Sequence, residues 1–258
     1  MRANTIGLIA GTVAVAASAN AGLEIGDVLS LSRNSLNGRL VTINYDSNRS
    51  SSAGGVTGGN LAMSGFLDFN LISVNGTAAG GGLLSTFCIE ISESFPDDPI
   101  SYTLVDPTQV PEETPPGNMS ANRSQMMQDL YSRYYADISV SNDDSSFGNY
   151  IDESAAFQLV IWEISHENFS TESDKSTMQA EMSITMGAMA ATDYFSSDVL
   201  TAANAMIAAL GSGGVWNNYT GLLGATNSTN QDLLIVVPTP AIAGLAGLGL
   251  VGMRRRRR

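Results

Sequence analysis

The sequence predicts an α+β fold: an antiparallel β sandwich or barrel with a helical lobe, flanked by a signal peptide and a short C-terminal apolar helix. Three observations predict it. Residues 23 to 106 alternate apolar and polar side chains in short runs divided by Gly, Ser and Asn clusters, the period of half-buried strands. Residues 120 to 210 switch to apolar spacings of three and four, the period of helices. With 258 residues and 43% hydrophobic content, the chain can bury one substantial core, or one core with a smaller lobe.

Taken in order, Met1-Arg2 precedes an apolar run from Ile6 to Ala17 and the sequence Ala17-Ser18-Ala19-Asn20-Ala21. A basic start, an apolar stretch too short for a stable span and an A-x-A pattern predict a secretory signal peptide over residues 1–21. The domain then covers 22–237. Leu40 to Tyr45, Gly65 to Ile72 and Leu83 to Ile91 read as strands, with Ser50 to Asn60 and Gly76 to Gly82 as the breaks between them. Six of the eight prolines fall between Pro96 and Pro116, which predicts a surface loop with one strand at Ser101 to Val105.

Ser120 is a good N-cap for a helix whose apolar side carries Met127, Leu130, Tyr131, Tyr134 and Ile138. After an acidic turn, Asp152 or Ser154 begins a second helix that is apolar nearly all round, with Phe157, Val160, Ile161 and Ile164 on one stripe and Leu159 and Trp162 opposite. Such an element is buried. The Met-rich segment Thr177 to Ala191 reads as helical, Ser197 to Leu210 as a helix stopped by Gly211, and Gln231 to Val237 as a closing strand.

Charge excludes one class of partner. Six of the 12 basic residues are Arg2 and Arg254 to Arg258, leaving six basic against all 25 acidic residues within 22–237, a formal net charge of −19. That surface repels phosphate backbones and anionic headgroups, so no nucleic-acid partner is expected. No cofactor is expected, and the only metal candidates are weak calcium pairs at Asp97-Asp98 and Asp143-Asp144.

Chemistry concentrates on Cys88, the single cysteine. An unpaired thiol is unusual in an exported chain, since oxidising compartments favour disulfides. One reading pairs it with Gln158, the polar group inside the buried helix: attack on the carboxamide expels ammonia and leaves an internal thioester, given a thiolate-like sulfur and donors for the oxyanion. Another has Cys88 packing as a small hydrophobe and Gln158 only hydrogen-bonded. His166 has no third member to complete a Cys-His peptidase and is expected in a solvated turn. Glu90 and Glu163 are candidate proton handlers, with solvated carboxylates the blander expectation.

Two resemblances sharpen this. Phe87-Cys88-Ile89-Glu90, followed far downstream by Phe157-Gln158-Leu159-Val160-Ile161-Trp162, resembles the Cys-Gln thioester domains of bacterial surface adhesins. Phe157 and Val160 stand where that family usually has Thr and Ala. The resemblance implies Cys88 as the thiol, Gln158 as the acyl donor, and Phe87, Phe157 and Trp162 as supporting core. It implies covalent capture of an amine- or hydroxyl-bearing surface target, one event per molecule rather than enzymatic turnover. The tail, residues 238–258, resembles the sorting signal of bacterial PEP-CTERM proteins: Pro238-Thr239-Pro240, an apolar stretch to Met253, then Arg254, Arg255, Arg256 and two further arginines. Thr239 replaces the usual glutamate. This implies an exosortase-like sorting enzyme as partner, transient membrane anchoring through the C-terminal helix, and release to the cell surface or extracellular matrix. The alternative is a non-reactive structural or carbohydrate-associated matrix protein sorted the same way.

Overall fold

The computed structural model describes residues 22–45, 59–91, 93, 99–112, 116–138, 150–193 and 198–237. The signal-peptide segment, the tail with Pro238, Thr239, Pro240 and Arg254 to Arg256, and both acidic pairs read as calcium candidates lie outside the described residues. Among the described residues, no helix is long and apolar enough to cross a membrane.

The chain is α+β with a large antiparallel sheet. Its strands are β1 (Val28–Tyr45), β2 (Asn60–Val74), β3 (Thr77–Cys88), β4 (Ile100–Val105), β5 (Met189–Asp193), β6 (Leu222–Thr226) and β7 (Leu233–Val236). The helices are α1 (Ala121–Ile138), α2 (Tyr150–His166), α3 (Lys175–Glu181) and α4 (Asp198–Ala209). Strand order is β2-β3-β7-β6-β4-β1-β5, and β1 also pairs with β2, so the circuit of pairings returns to its start with β5 on the far half of β1. One continuous apolar core joins strands and helices, including Phe87 of β3, Leu130 of α1, Phe157 of α2 and Ile207 of α4. The helices are therefore not a separate lobe.

Two details of β1 and β2 position the site. Gly38 and Gly65 face each other across the pair, and a Cβ on either would lie 2.0 Å from the Ser64 carbonyl oxygen or 2.2 Å from that of Asn37. Only glycine permits this backbone approach. Beside it, Ser64 Oγ donates to the Ala155 carbonyl at 2.7 Å, fixing β2 to α2.

Several sequence expectations change. Gly76 to Gly82 is not a break: the turn is Asn75-Gly76 alone, with φ of 50° and 76°, and β3 begins at Thr77. Asn-Gly with both residues left-handed is the favoured two-residue hairpin turn. The Met-rich segment is helical only to Glu181. Gly187, at φ 119°, redirects the chain, and Met189–Asp193 adds to β1 as β5. The proline-rich stretch is not wholly superficial, since Pro107, Val110 and Pro111 are buried. Ser120, the expected N-cap, accepts the Arg123 N–H at 3.2 Å, and α4 ends at a left-handed Gly211 as expected. The closing strand does return to the first sheet, lying between β3 and β6.

Candidate functional site

The β2–β3 ladder ends at Leu67 opposite Thr86, while β3 continues beside β7 as far as Cys88 opposite Leu233. Ile89 N–H donates to Asp232 on the β7 side at 3.0 Å. By strand alternation, the N–H and C=O of Cys88 face the other way, where β2 no longer supplies a partner. Gln158 takes that place. Cys88 N–H donates to Gln158 Oε1 at 3.0 Å, and Gln158 Nε2 donates to the Cys88 carbonyl at 2.7 Å. The carboxamide thus occupies the missing strand position and lies against the residue that carries the thiol.

Helix α2 presents Gln158 through spacing. Ala155, Gln158, Trp162 and Ser165 recur at intervals of three and four and so share one face. Ala155 meets Ser64 and Gln158 meets Cys88, while Ser165 Oγ lies 3.3 Å from the Ile89 carbonyl oxygen. The residues preceding the two motif positions also meet: the Phe87 and Phe157 rings lie 4.8 Å apart, and Phe66 and Tyr131 pack against Phe87 at 4.5 and 6.3 Å. Phe87 and Phe157 are fully buried.

The sulfur is not thiolate-like. Cys88 is free and buried, and desolvation pushes its thiol well above the ordinary value, against the pull of a backbone hydrogen bond and with the charge on Glu90 adding to the rise. Chemistry at this sulfur must move its proton during bond formation. Glu90 is buried rather than solvated. Its Oε2 accepts Asp232 N–H at 2.9 Å and its carbonyl accepts Gln231 Nε2. Asp232 in turn accepts the N–H groups of Glu112 and Asn227 at 2.7 and 2.9 Å. This network ties the strand end beyond Cys88 to β7.

His166 is also buried, at 2% exposure. Its Nδ1 lies 2.8 Å from Ser165 Oγ and its ring meets Tyr45 edge-on at 6.2 Å. The expected solvated turn is overturned because α2 continues to His166 against β1. Glu163 is fully buried too, on the face of α2 away from Cys88, with one oxygen accepting Ser183 N–H at 2.6 Å and Oε2 without a partner. Desolvation, then the charge of Glu167, holds its carboxyl well above the usual range, with Ser183 and Arg123 opposing. A carboxyl raised on folding adds stability that is complete below its unfolded value, near pH ~4.3, and is lost as pH rises through the folded one. Glu163→Gln is therefore expected to be more stable than the parent at pH 7, with the advantage shrinking toward pH ~4 in urea unfolding. An advantage independent of pH would contradict this placement.

Arg123, which carries no sequence signal, anchors the far end of α2. Its Nη1 and Nη2 each donate at 2.6 Å, to the Ile164 and Glu167 carbonyls, and Nε donates to Glu172 at 2.8 Å. Among the described residues, no group of three His, Cys, Asp or Glu side chains could hold a metal. Compared with known proteins, the chain matches no family model, no curated protein and no solved structure.

Proposed function

We propose that the protein is a cell-surface or extracellular-matrix protein whose Cys88 and Gln158 form an internal thioester that captures amine- or hydroxyl-bearing targets. The observation that carries this reading is the two-point hydrogen bonding between the Cys88 backbone and the Gln158 carboxamide. It holds the acyl carbon against the cysteine and aims the Cys88 N–H at the oxygen on which negative charge develops. Sγ adds to Cδ of Gln158, the thiol proton passes to Nε2, the C–N bond breaks and ammonia leaves. Burial then shields the bond from water. A target amine reverses the logic: its nitrogen attacks the acyl carbon, its proton passes to sulfur, Cys88 leaves as a thiol and Gln158 carries the amide.

The same proposal takes the closed circuit of pairings as a small barrel around which the helices pack. It takes residues 1–21 as an export signal and 238–258 as an exosortase-processed tail that delivers residues 22–237 outside the cell. One feature favours the competing reading of a packed, unreactive Cys88: burial raises its thiol. Intact mass separates the two. The protein purified in amine-free buffer is expected to be lighter than its sequence by one ammonia, with the deficit lost on methylamine treatment and absent in Cys88→Ala. Full mass together with an alkylatable Cys88 in the unfolded protein, and no Gln158→Glu hydrolysis product, leaves only the packing reading.

A further inference from the structure

A cleft of about 450 Å³ lies between α1, α2 and α4, and neither Cys88 nor Gln158 forms part of its wall. Its volume is that of a small-molecule site. Tyr134 and Ile138 of α1 and Met206 of α4 contribute to a mainly apolar lining, while Asp137, Glu153 and Asp198 add three carboxylates, one from each helix. Among the described residues, no basic side chain lines it. The fold does not favour the three acids equally. Glu153 and Asp198 stand in first turns, where the positive end of a helix dipole favours negative charge. Asp137 stands in the last turn of α1, where the dipole opposes it. Burial, then the charges of Asp137 and Asp152, hold the Glu153 carboxyl above its ordinary range. The cluster repels itself, and a cation placed against it relieves the repulsion. A single metal ion does not fit, because among the described residues no three acidic side chains are placed to hold one, and an apolar lining lends few further oxygens. The negative charge is spread around an apolar floor.

We propose that this cleft binds a linear aliphatic polyamine, with its methylenes against Tyr134, Ile138 and Met206 and its ammonium groups at Asp137, Glu153 and Asp198. The binding is non-covalent and independent of the thioester reading. A polyamine carries cationic centres separated by methylene runs, the same alternation of charge and apolar surface that the cleft presents. An alkyl amine with one charge matches the floor but leaves two of the carboxylates uncompensated. An anionic or neutral apolar ligand leaves all three.

The test titrates spermidine calorimetrically into the protein carrying Cys88→Ala, in which no amine can be captured covalently. Saturable binding of one spermidine is expected, with n-hexylamine weaker by about tenfold or more, since it forms one ion pair in place of several. Glu153→Gln is expected to weaken spermidine about fivefold. Glu24→Gln, which removes an exposed acid outside the cleft, is expected to leave it unchanged. Ala205 lines the cleft from an exposed helical position, so Ala205→Lys supplies a methylene stem and an ammonium from the chain itself and is expected to abolish binding. No saturable binding, hexylamine as tight as spermidine, or undiminished binding in Ala205→Lys overturns the proposal. Equal losses in Glu24→Gln and Glu153→Gln also overturn it, since they show only a counter-ion atmosphere on an acidic surface. A peptide of residues 241–258 that binds this site more tightly than spermidine gives the cleft to the chain's own arginine run instead. A second measurement needs no variant within the cleft. In protein labelled at its methionine methyls, spermidine is expected to shift the Met206 resonance, and an unmoved Met206 signal counts against the site.

Discussion

Gln158→Leu is expected to have its full sequence mass, to show no methylamine-sensitive bond, and to be less stable than Cys88→Ala by about 2–6 kcal/mol. The chemical part tests the proposed role of Gln158 as acyl donor. The stability part follows from what the carboxamide replaces. Past the end of the β2–β3 ladder, Gln158 supplies both hydrogen bonds to the Cys88 backbone. Leucine leaves that N–H and C=O buried and unmade, at about 1–3 kcal/mol each. Cys88→Ala is the reference, because it too lacks the proposed cross-link yet keeps the carboxamide and both of its backbone hydrogen bonds. Reactivity is abolished in both, so their difference in stability reads the carboxamide bridge alone. Urea unfolding beside intact mass checks the pair. Equal stability of the two variants would show that the carboxamide bridge does not hold α2 against the strand end.

What the sequence could say about this site depended on where physical signals are local. Helix α2 was legible because Phe157, Val160, Ile161 and Ile164 repeat at helical spacing, and one polar group among them stands out. The contact between Gln158 and Cys88 spans 70 residues, and no periodicity carries it; its expectation rests on a lone thiol, one polar group in a buried helix and a resemblance. Asn75-Gly76 was a legible hairpin turn, yet glycines at 80 to 82 in the following strand made the whole segment read as a loop. Strand β6, Leu222–Thr226, carries Gly224, where an added Cβ would lie 2.7 Å from a Val110 methyl. That glycine serves close packing, which composition reads only as a break. Glu90, Glu163 and His166 were misplaced for one reason: polar side chains default to the surface, and only tertiary partners such as Asp232 N–H, Ser183 N–H and Ser165 Oγ make their burial tolerable.

Arg123→Met is expected to cost about 3–5 kcal/mol and to lower the melting temperature by about 10 °C, the largest loss from any single position away from Cys88 and Gln158. The last carbonyls of a helix have no partner within it and form the negative end of its dipole. In α2 a guanidinium at 1% exposure meets both needs, bridging Ile164, Glu167 and Glu172 while its Cζ stacks 4.5 Å from the Phe169 ring. Methionine preserves much of the apolar stem but leaves two carbonyls unmade and removes the cation facing Glu163 and Glu167. Arg123→Lys tests whether geometry or charge matters, since an ammonium cannot present a planar fork to three oxygens. It is expected to fold with less than half the lost stability restored. Because Arg123 ties α1 to the C-terminal end of α2, loosening it is expected to let Gln158 drift relative to Cys88. The folded lysine variant should therefore carry a smaller fraction of ammonia-deficient protein than the parent. Melting curves and intact mass read the two effects on one sample. A lysine variant that matches the parent in both would mean that charge alone secures the helix end and that the placement of Gln158 is independent of it.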